Sequence, residues 1–384
     1  MFRVGILLPA VAVLLASCSS LTTQYVRAPL PNAPAWQEDR ATSTPAAAAK
    51  WWQSFGDTKL DQLVEAVLQN NNDILAATLR ARRALLQAEL AGVARIPVLS
   101  GNSNAQTGVA LGEGTSSNSF TPGLGAAYEL DLWGRLASAH DIAVLEAEAT
   151  VEEVESARTT IIASTIEAYW RLAFTSEDRA IAQAGLDAAR EIERLVKSQA
   201  AVGAATDLEL AEVRQSVESQ AAQLSDFEQN RVVLRNALAV LLNGLPNPVP
   251  EPQRLPRRTP VEITAGLPAE LLARRPDLRA AEQRLRASLR KIDNTRASLY
   301  PQISLTGNLG ASSADLLSIL ANPAATLGVG LVLNFLNFKE GQLRVKVSQA
   351  DYQIAVSEFR ASLLTAFSDT SSALSARSTL NEKS

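Results

Sequence analysis

The chain has 384 residues, 47% of them hydrophobic and 20% charged, and 36 Lys+Arg against 40 Asp+Glu leave a net charge of −4. That balance excludes a basic nucleic-acid binder, because there is no excess of cations to displace phosphate counterions. A single Cys (Cys18) excludes a disulfide framework or a CxxC zinc site, and a single His (His140) excludes a His-rich metal cluster. One residue in six is Ala and only 5% are aromatic, which favours long, closely packed helices over a conventional enzyme core.

The amino terminus reads as an export signal. Arg3 and the starting amine form a short positive region, and residues 4–16 are apolar apart from Gly5 and Pro9, too short a run to span a bilayer as a helix. The run closes with Leu15-Ala16-Ser17-Cys18, which resembles the bacterial lipobox, in which the Cys thiol takes a diacylglyceryl group and becomes the new amino terminus. An ordinary cleavage site that happens to hold a Cys is the alternative. The expected signal is 1–17, the lipid attachment site is Cys18, and Ser19 rather than Asp fits sorting to the outer membrane. Multiple acyl chains make a stable anchor. Residues 18–50, rich in Pro, Ala, Ser and Thr, read as a lipidated tether.

After Trp51-Trp52, Leu60, Leu63, Val64, Val67 and Leu68 predict a helix that the Asn70-Asn71-Asn72 break terminates; a second helix starts at Asp73 and reaches Arg95, stopped by Pro97. Residues 73–97 align without a gap on 277–301 at an offset of 204, with Asp73/Asp277, Ala76/Ala280, Ala77/Ala281, Arg80/Arg284, Arg82/Arg286, Leu85/Leu289 and Pro97/Pro301 identical. Each Pro is followed by two alternating segments, a Gly and a helical stretch. The expected organisation is therefore a helix-strand-strand-helix unit in 51–245, a linker over 246–276, and a second unit in 277–384.

The alternating segments are expected at about 98–111, 120–132, 302–312 and 325–336. Leu99, Ala105, Val109 and Leu111 oppose Ser100, Asn102, Asn104 and Gln106. Phe120, Leu124, Ala126, Tyr128, Leu130 and Leu132 oppose Thr121, Gly123, Gly125, Glu129 and Asp131. Ile303, Leu305, Leu309 and Ala311 oppose Ser304, Thr306 and Asn308; Leu327, Val329, Leu331, Leu333 and Phe335 oppose Thr326, Gly328, Gly330 and Asn334. Each has about the ten residues a tilted transmembrane strand needs, with one face for lipid and one for water. Four strands cannot close a barrel, and an open edge in lipid leaves unpaired amides at several kcal/mol each. The pattern thus leaves two solutions, a half-buried soluble sheet or strands pooled from several chains.

Between Leu136 and Ala200 there is no Pro and one Gly (Gly185), and 65 residues at roughly 1.5 Å each predict a helix about 100 Å long. A turn at Val202-Gly203-Ala204-Ala205 follows, then Thr206 or Asp207 as N-cap and a returning helix to Asn243-Gly244.

At this point the residues resemble the TolC-like outer membrane efflux proteins, and more closely the lipoprotein branch serving RND-type multidrug pumps. The resemblance rests on Trp51-Trp52-x-x-Phe55-x-Asp57-x-x-Leu60, on Tyr128-Glu129-Leu130-Asp131-Leu132-Trp133-Gly134-Arg135 and on Leu267-Pro268-x-Glu270-Leu271-Leu272-x-Arg274-Arg275-Pro276-Asp277-Leu278. It implies a mainly α fold with a small membrane β part. Four transmembrane strands per protomer make a 12-stranded barrel in a homotrimer, and long periplasmic helical hairpins form an α-barrel. Its partners would be a periplasmic adaptor, an inner-membrane RND transporter and outer-membrane lipid. The function implied is a passive exit duct, with no catalysis and no cofactor. A duct for secreted protein served by an ABC transporter and a non-channel periplasmic scaffold are the alternatives.

The second unit is shorter than the family pattern. Matching Gly341 to Gly134, the first unit runs 111 residues to Gly244 and the second 44 to Ser384, so about 67 residues and the gate carboxylates among them are expected to be missing, leaving a duct that does not seal. Within the chain, Glu129 and Asp131 are candidate lumen-facing carboxylates that would favour cations, with salt bridging to Arg135 as the structural alternative. Gly203, Thr206 and Asp207 are the candidates for adaptor contact at the hairpin tip. Arg274-Arg275 beside Asp277 read as an ion-pair cluster at a helix start, and His140 as a surface or interface residue.

Overall fold

The computed structural model describes residues 22–26, 50–109, 112, 116–245, 251–252, 255, 274–314 and 323–383. Cys18 and the Leu267-Pro268 stretch lie outside them. The elements, in chain order, are α1 (Thr58–Asn70), α2 (Asn72–Val93), β1 (Val98–Val109), β2 (Ser116–Leu130), α3 (Arg135–Ala201), α4 (Asp207–Leu241), α5 (Pro276–Ala297), β3 (Gln302–Ala311), β4 (Pro323–Val332) and α6 (Phe338–Lys383). The order helix-strand-strand-helix occurs twice. The offset of 204 that relates the two sequence segments also relates both ends of α2 to both ends of α5, and the first residue of β1 to that of β3. The chain divides into two compact units, one holding the described residues of 1–38, 80–152 and 268–384, the other those of 39–79 and 153–267.

In the second of these, α1 forms because Leu60, Leu63, Val64 and Val67 recur at helical spacing on one buried face. Asp57 starts it, its Oδ1 accepting from the Lys59 and Leu60 amides at 2.9 and 3.2 Å. That face packs with Trp52 on Ile162, Ile166, Tyr169 and Leu172 of α3 and on Leu238 and Ala239 of α4. Full burial of each Leu contributes about 1.5–3 kcal/mol. Burial, then the charge of Asp57, pushes the Tyr169 hydroxyl pKa well up; as a phenol it donates to Asp57 Oδ2 at 3.1 Å. The Asn run works as predicted, with Asn71 the pivot: its Oδ1 caps α2 through the Asp73 and Ile74 amides while its Nδ2 donates to Leu241 O.

In the other unit, α5 buries Leu278, Leu285, Leu289 and Ile292, and Leu278 and Leu285 cluster with Phe359, Leu363 and Ala366 of α6. Arg279 holds Glu152 of α3 at 2.6 Å. Pro276 occupies the first turn of α5, where its missing N–H costs nothing. Arg275 there bridges Asp277 at 2.7 Å and Asp369 of α6 at 3.6 Å, as the sequence cluster led us to expect. The four strands form one antiparallel sheet in the order β1-β2-β3-β4.

Several boundaries differ from expectation, three of them for a visible reason. α2 stops at Val93, because the turn that positions Pro97 closes early through Arg95 N to Gly92 O and Ile96 N to Val93 O. β2 starts at Ser116, since Ser116–Ser119 pair with Gln106–Val109 rather than forming loop. β4 ends at Val332, and Asn334–Asn337 form a 3₁₀ turn held by Asn334 Nδ2 on Ser298 O, so Phe335 leaves the strand alternation.

Candidate functional site

The sheet register puts the alternation of all four strands in phase. Directly opposed residues share a face in an antiparallel pair, so Leu99, Ala126, Gly307 and Leu327 form one row, and Gly101, Leu124, Leu309 and Ala325 the next. This face carries the apolar side chains, and it is bare: Leu99 is 80% and Leu327 94% exposed. The other face carries Ser100, Gly125, Asn308 and Thr326 in one row and Ser304 against Gly330 in another. A Cβ added to Gly125 would meet Ser100 Oγ at 2.8 Å and Asn308 Oδ1 at 3.1 Å; at Gly328, Thr306 Oγ1 at 2.9 Å; at Gly330, Ser304 Oγ at 2.6 Å. Hydroxyl and amide side chains therefore lie across glycines, and that is why so many strand positions lack a side chain. The two edge strands, β1 and β4, have no strand partner on their outer sides among the described residues.

At the foot of β2 the chain turns into α3. Arg135 grips Glu129 with a guanidinium fork, Nη2 to both carboxylate oxygens at 2.7 and 2.8 Å and Nε at 3.1 Å. Asp131 accepts from the Leu136 and Ala137 amides at 3.0 and 2.7 Å, holding the orphan donors of the α3 start. Gly134, at φ +73°, makes the sharp turn between them. Both carboxylates expected to face a lumen are thus engaged by the chain's own groups, Glu129 by the bridge to Arg135. Sequence patterning missed the neighbouring support: Trp133 stacks on Tyr300 at 4.8 Å and donates Nε1–H to Pro301 O at 2.8 Å, while Asn294 Nδ2 donates to Arg135 O.

At the other candidate site, Gly203 sits at φ +75° and Ala204 N closes the turn on Gln199 O. Thr206 is the N-cap of α4, in a reciprocal capping box: Glu209 N donates to Thr206 Oγ1, and Thr206 N donates to Glu209 Oε2 at 2.6 Å. Those Thr206 donors hold the Glu209 carboxyl below its usual pKa. Asp207 is the first helical residue, and Val202 and Leu208 beside it are 78% and 68% exposed. His140 packs against Gly92, with Asp141 3.8 Å away. Among the described residues no group of His, Cys, Asp and Glu could hold a metal, and no helix is long and apolar enough to cross a membrane.

A sheet with one bare apolar face, one polar face and two open edges, joined to helices of 67 and 35 residues, is a TolC-like channel fold, a wall element and not an enzyme. The chain belongs to the outer membrane efflux protein family, whose pattern matches residues 63–244 and 267–384. It is 34% identical over 359 residues to the pyoverdine export outer membrane protein OpmQ of Pseudomonas putida, covering 89% of this chain and 75% of that one. It is 30% identical over 364 residues to toxin and drug export protein A of Aggregatibacter actinomycetemcomitans, covering 94% and 79%. The open state of the Neisseria gonorrhoeae MtrE outer membrane channel superposes with a TM-score of 0.84 at 27% identity, over 95% of this chain and 83% of the other.

Proposed function

We propose that the chain is one protomer of a homotrimeric, lipid-anchored exit duct that works with a periplasmic adaptor and an inner-membrane RND transporter to pass drugs and other small molecules out of the cell. The observation that carries this reading is the phased sheet. Its apolar face matches hydrocarbon, its polar face a wet lumen, and β1 and β4 offer unpaired amides that antiparallel neighbours from two further copies would satisfy. Three sets of four strands close a ring, with β1 of one copy beside β4 of the next. Cys18 supplies the acyl anchor, the helices continue the passage across the periplasm, and the exposed tip around Gly203, Thr206 and Asp207 is where the adaptor docks. The relatives' names, pyoverdine export in one and toxin and drug export in the other, support a cargo of soluble compounds larger than ions.

The test is reconstitution of the purified protein in planar bilayers together with drug susceptibility of a channel-deletion strain carrying it. Discrete conductance steps are expected. A strictly monomeric detergent extract without steps would overturn the reading. The word toxin in one relative's name keeps protein export through an ABC transporter as a second reading; restored secretion of a polypeptide without restored drug resistance would favour it.

A further inference from the structure

The turn from β2 into α3 carries Trp133 stacked on Tyr300 and the Glu129–Arg135 fork, whereas the corresponding turn from β4 into α6 leaves a recess of about 410 Å³. That size lies within the range of about 300–1,000 Å³ found for small-molecule sites. Its walls are the end of α5, the first residue of β3, the 3₁₀ turn Asn334–Asn337 and the first turns of α6. Gly341 is buried there because the start of α6 presses on Leu299; an added Cβ would run into Leu299 Cδ2. Asn334 Nδ2 ties the 3₁₀ turn to Ser298 O at 3.2 Å, so the walls are fixed to one another.

The lining is polar, and its two charges are opposite. Arg344 donates from Nε and Nη2 to Glu340 Oε1, one helical turn away, at 3.0 and 2.6 Å, and the side chains are 70% and 57% exposed. Exposed pairs at this spacing add little stability, so opening one costs little when each charge finds another partner. In the same lining, the Gln302 and Asn337 carboxamides have no hydrogen bond within the chain among the described residues, and each offers both donor and acceptor. The nearby acid on α5, Asp293, is committed elsewhere. Thr23 donates to it from N at 2.8 Å and from Oγ1 at 2.6 Å, and Arg290 and Arg296 stand 3.4 and 3.8 Å from its oxygens. Gln302 lies opposite Val332 and two residues before Ser304, so the recess opens at the foot of the polar face.

We propose that this recess binds a small amino-acid-like zwitterion, its ammonium on Glu340 and its carboxylate on Arg344, with Gln302 and Asn337 holding the atoms between. The Glu340–Arg344 pair opens, and each charge meets its opposite on the solute. A solute with one charge leaves the other side chain unpaired and binds less well. That a passenger meets the recess on its way out rests on the duct reading above; the binding itself does not. The test is calorimetric titration of the full chain, purified in detergent, with γ-aminobutyrate, butyrate and n-butylamine. γ-Aminobutyrate is expected to saturate one site per chain, and the two singly charged probes to bind about tenfold more weakly. E340Q and R344Q should each lower the γ-aminobutyrate affinity about tenfold. E191Q, which removes another exposed pair on α3, should leave it unchanged. Q302L/N337L keeps the ion pair and removes both free carboxamides; it should weaken binding several-fold, an independent reading if a charge variant loses its helical circular dichroism. Equal affinity for the three probes, no saturation by any of them, or wild-type binding in E340Q and R344Q would overturn the inference. Conductance without binding would overturn the recess alone, and binding by a chain that never conducts would overturn the duct reading and leave the recess standing.

Discussion

Glu129 and Arg135, six residues apart across the turn from β2 into α3, form a forked ion pair whose side chains are each 27% exposed. The charge on the polar face at this level is therefore balanced within the chain. Removing the guanidinium with R135A leaves a half-buried carboxylate without its partner and should destabilise the junction by about 1–2 kcal/mol, read as a lower urea midpoint. In planar bilayers under a salt gradient, R135A, which leaves Glu129 unbalanced, should move the reversal potential toward cations, and E129Q, which leaves Arg135 unbalanced, should move it toward anions.

Leu327 and Thr326 are adjacent in β4 and point to opposite faces. A lysine at Leu327 would face hydrocarbon, with a cost of about 2–4 kcal/mol at mid-depth; a lysine at Thr326 would face water. Immunoblots of outer-membrane fractions should show L327K strongly depleted and T326K at nearly wild-type level. Equal amounts of the two would argue against the assigned faces.

At the hairpin tip, T206A removes the hydroxyl half of a capping box, at about 1 kcal/mol, and G203V forces a branched side chain into φ +75°, at about 1–2 kcal/mol. Both lie far from the hydrophobic cluster around Tyr169, so the global melting temperature should shift by a few degrees at most. Adaptor capture in pull-downs should fall more for G203V than for T206A, because the turn itself is altered.

The hydrogen bond from Arg275, reinforced by its charge and by the Leu278 amide, holds the Asp277 carboxyl below the usual range against the opposing effect of burial. A carboxylate depressed in the folded state adds stability that is complete above its unfolded pKa of about 3.9 and is lost as pH falls through the lower folded value. Asp277 is 44% exposed, so solvent screening keeps the contribution small. Urea midpoints of wild type and D277N should differ by a constant amount from pH 5 to 8, and the difference should shrink as pH falls below the unfolded value and vanish only once it has passed the depressed folded one.

What could be read from the sequence was what repeats locally. The alternation that carries Leu124, Leu309 and Leu327, the helix start at Thr206 and the 204-residue offset all follow from a period of two, from capping chemistry or from direct self-comparison. The partners of single polar groups could not be read this way. Thr23 and Asp293 are 270 residues apart, and nothing near either one signals the other. Trp133 and Tyr300 are brought together only by the pairing of β2 with β3. That Glu129 pairs with Arg135 likewise depended on where the Arg135 side chain turned. Ser116–Ser119 fell outside the expected strand because four turn-type residues carry no alternation until a partner strand lies beside them.

The glycines beneath Ser100, Thr306 and Ser304 give the polar face very low relief. Each hydroxyl rests in the hollow left by a missing methyl group instead of standing upright, so in the proposed duct a passenger would cross low, neutral ridges at these rows.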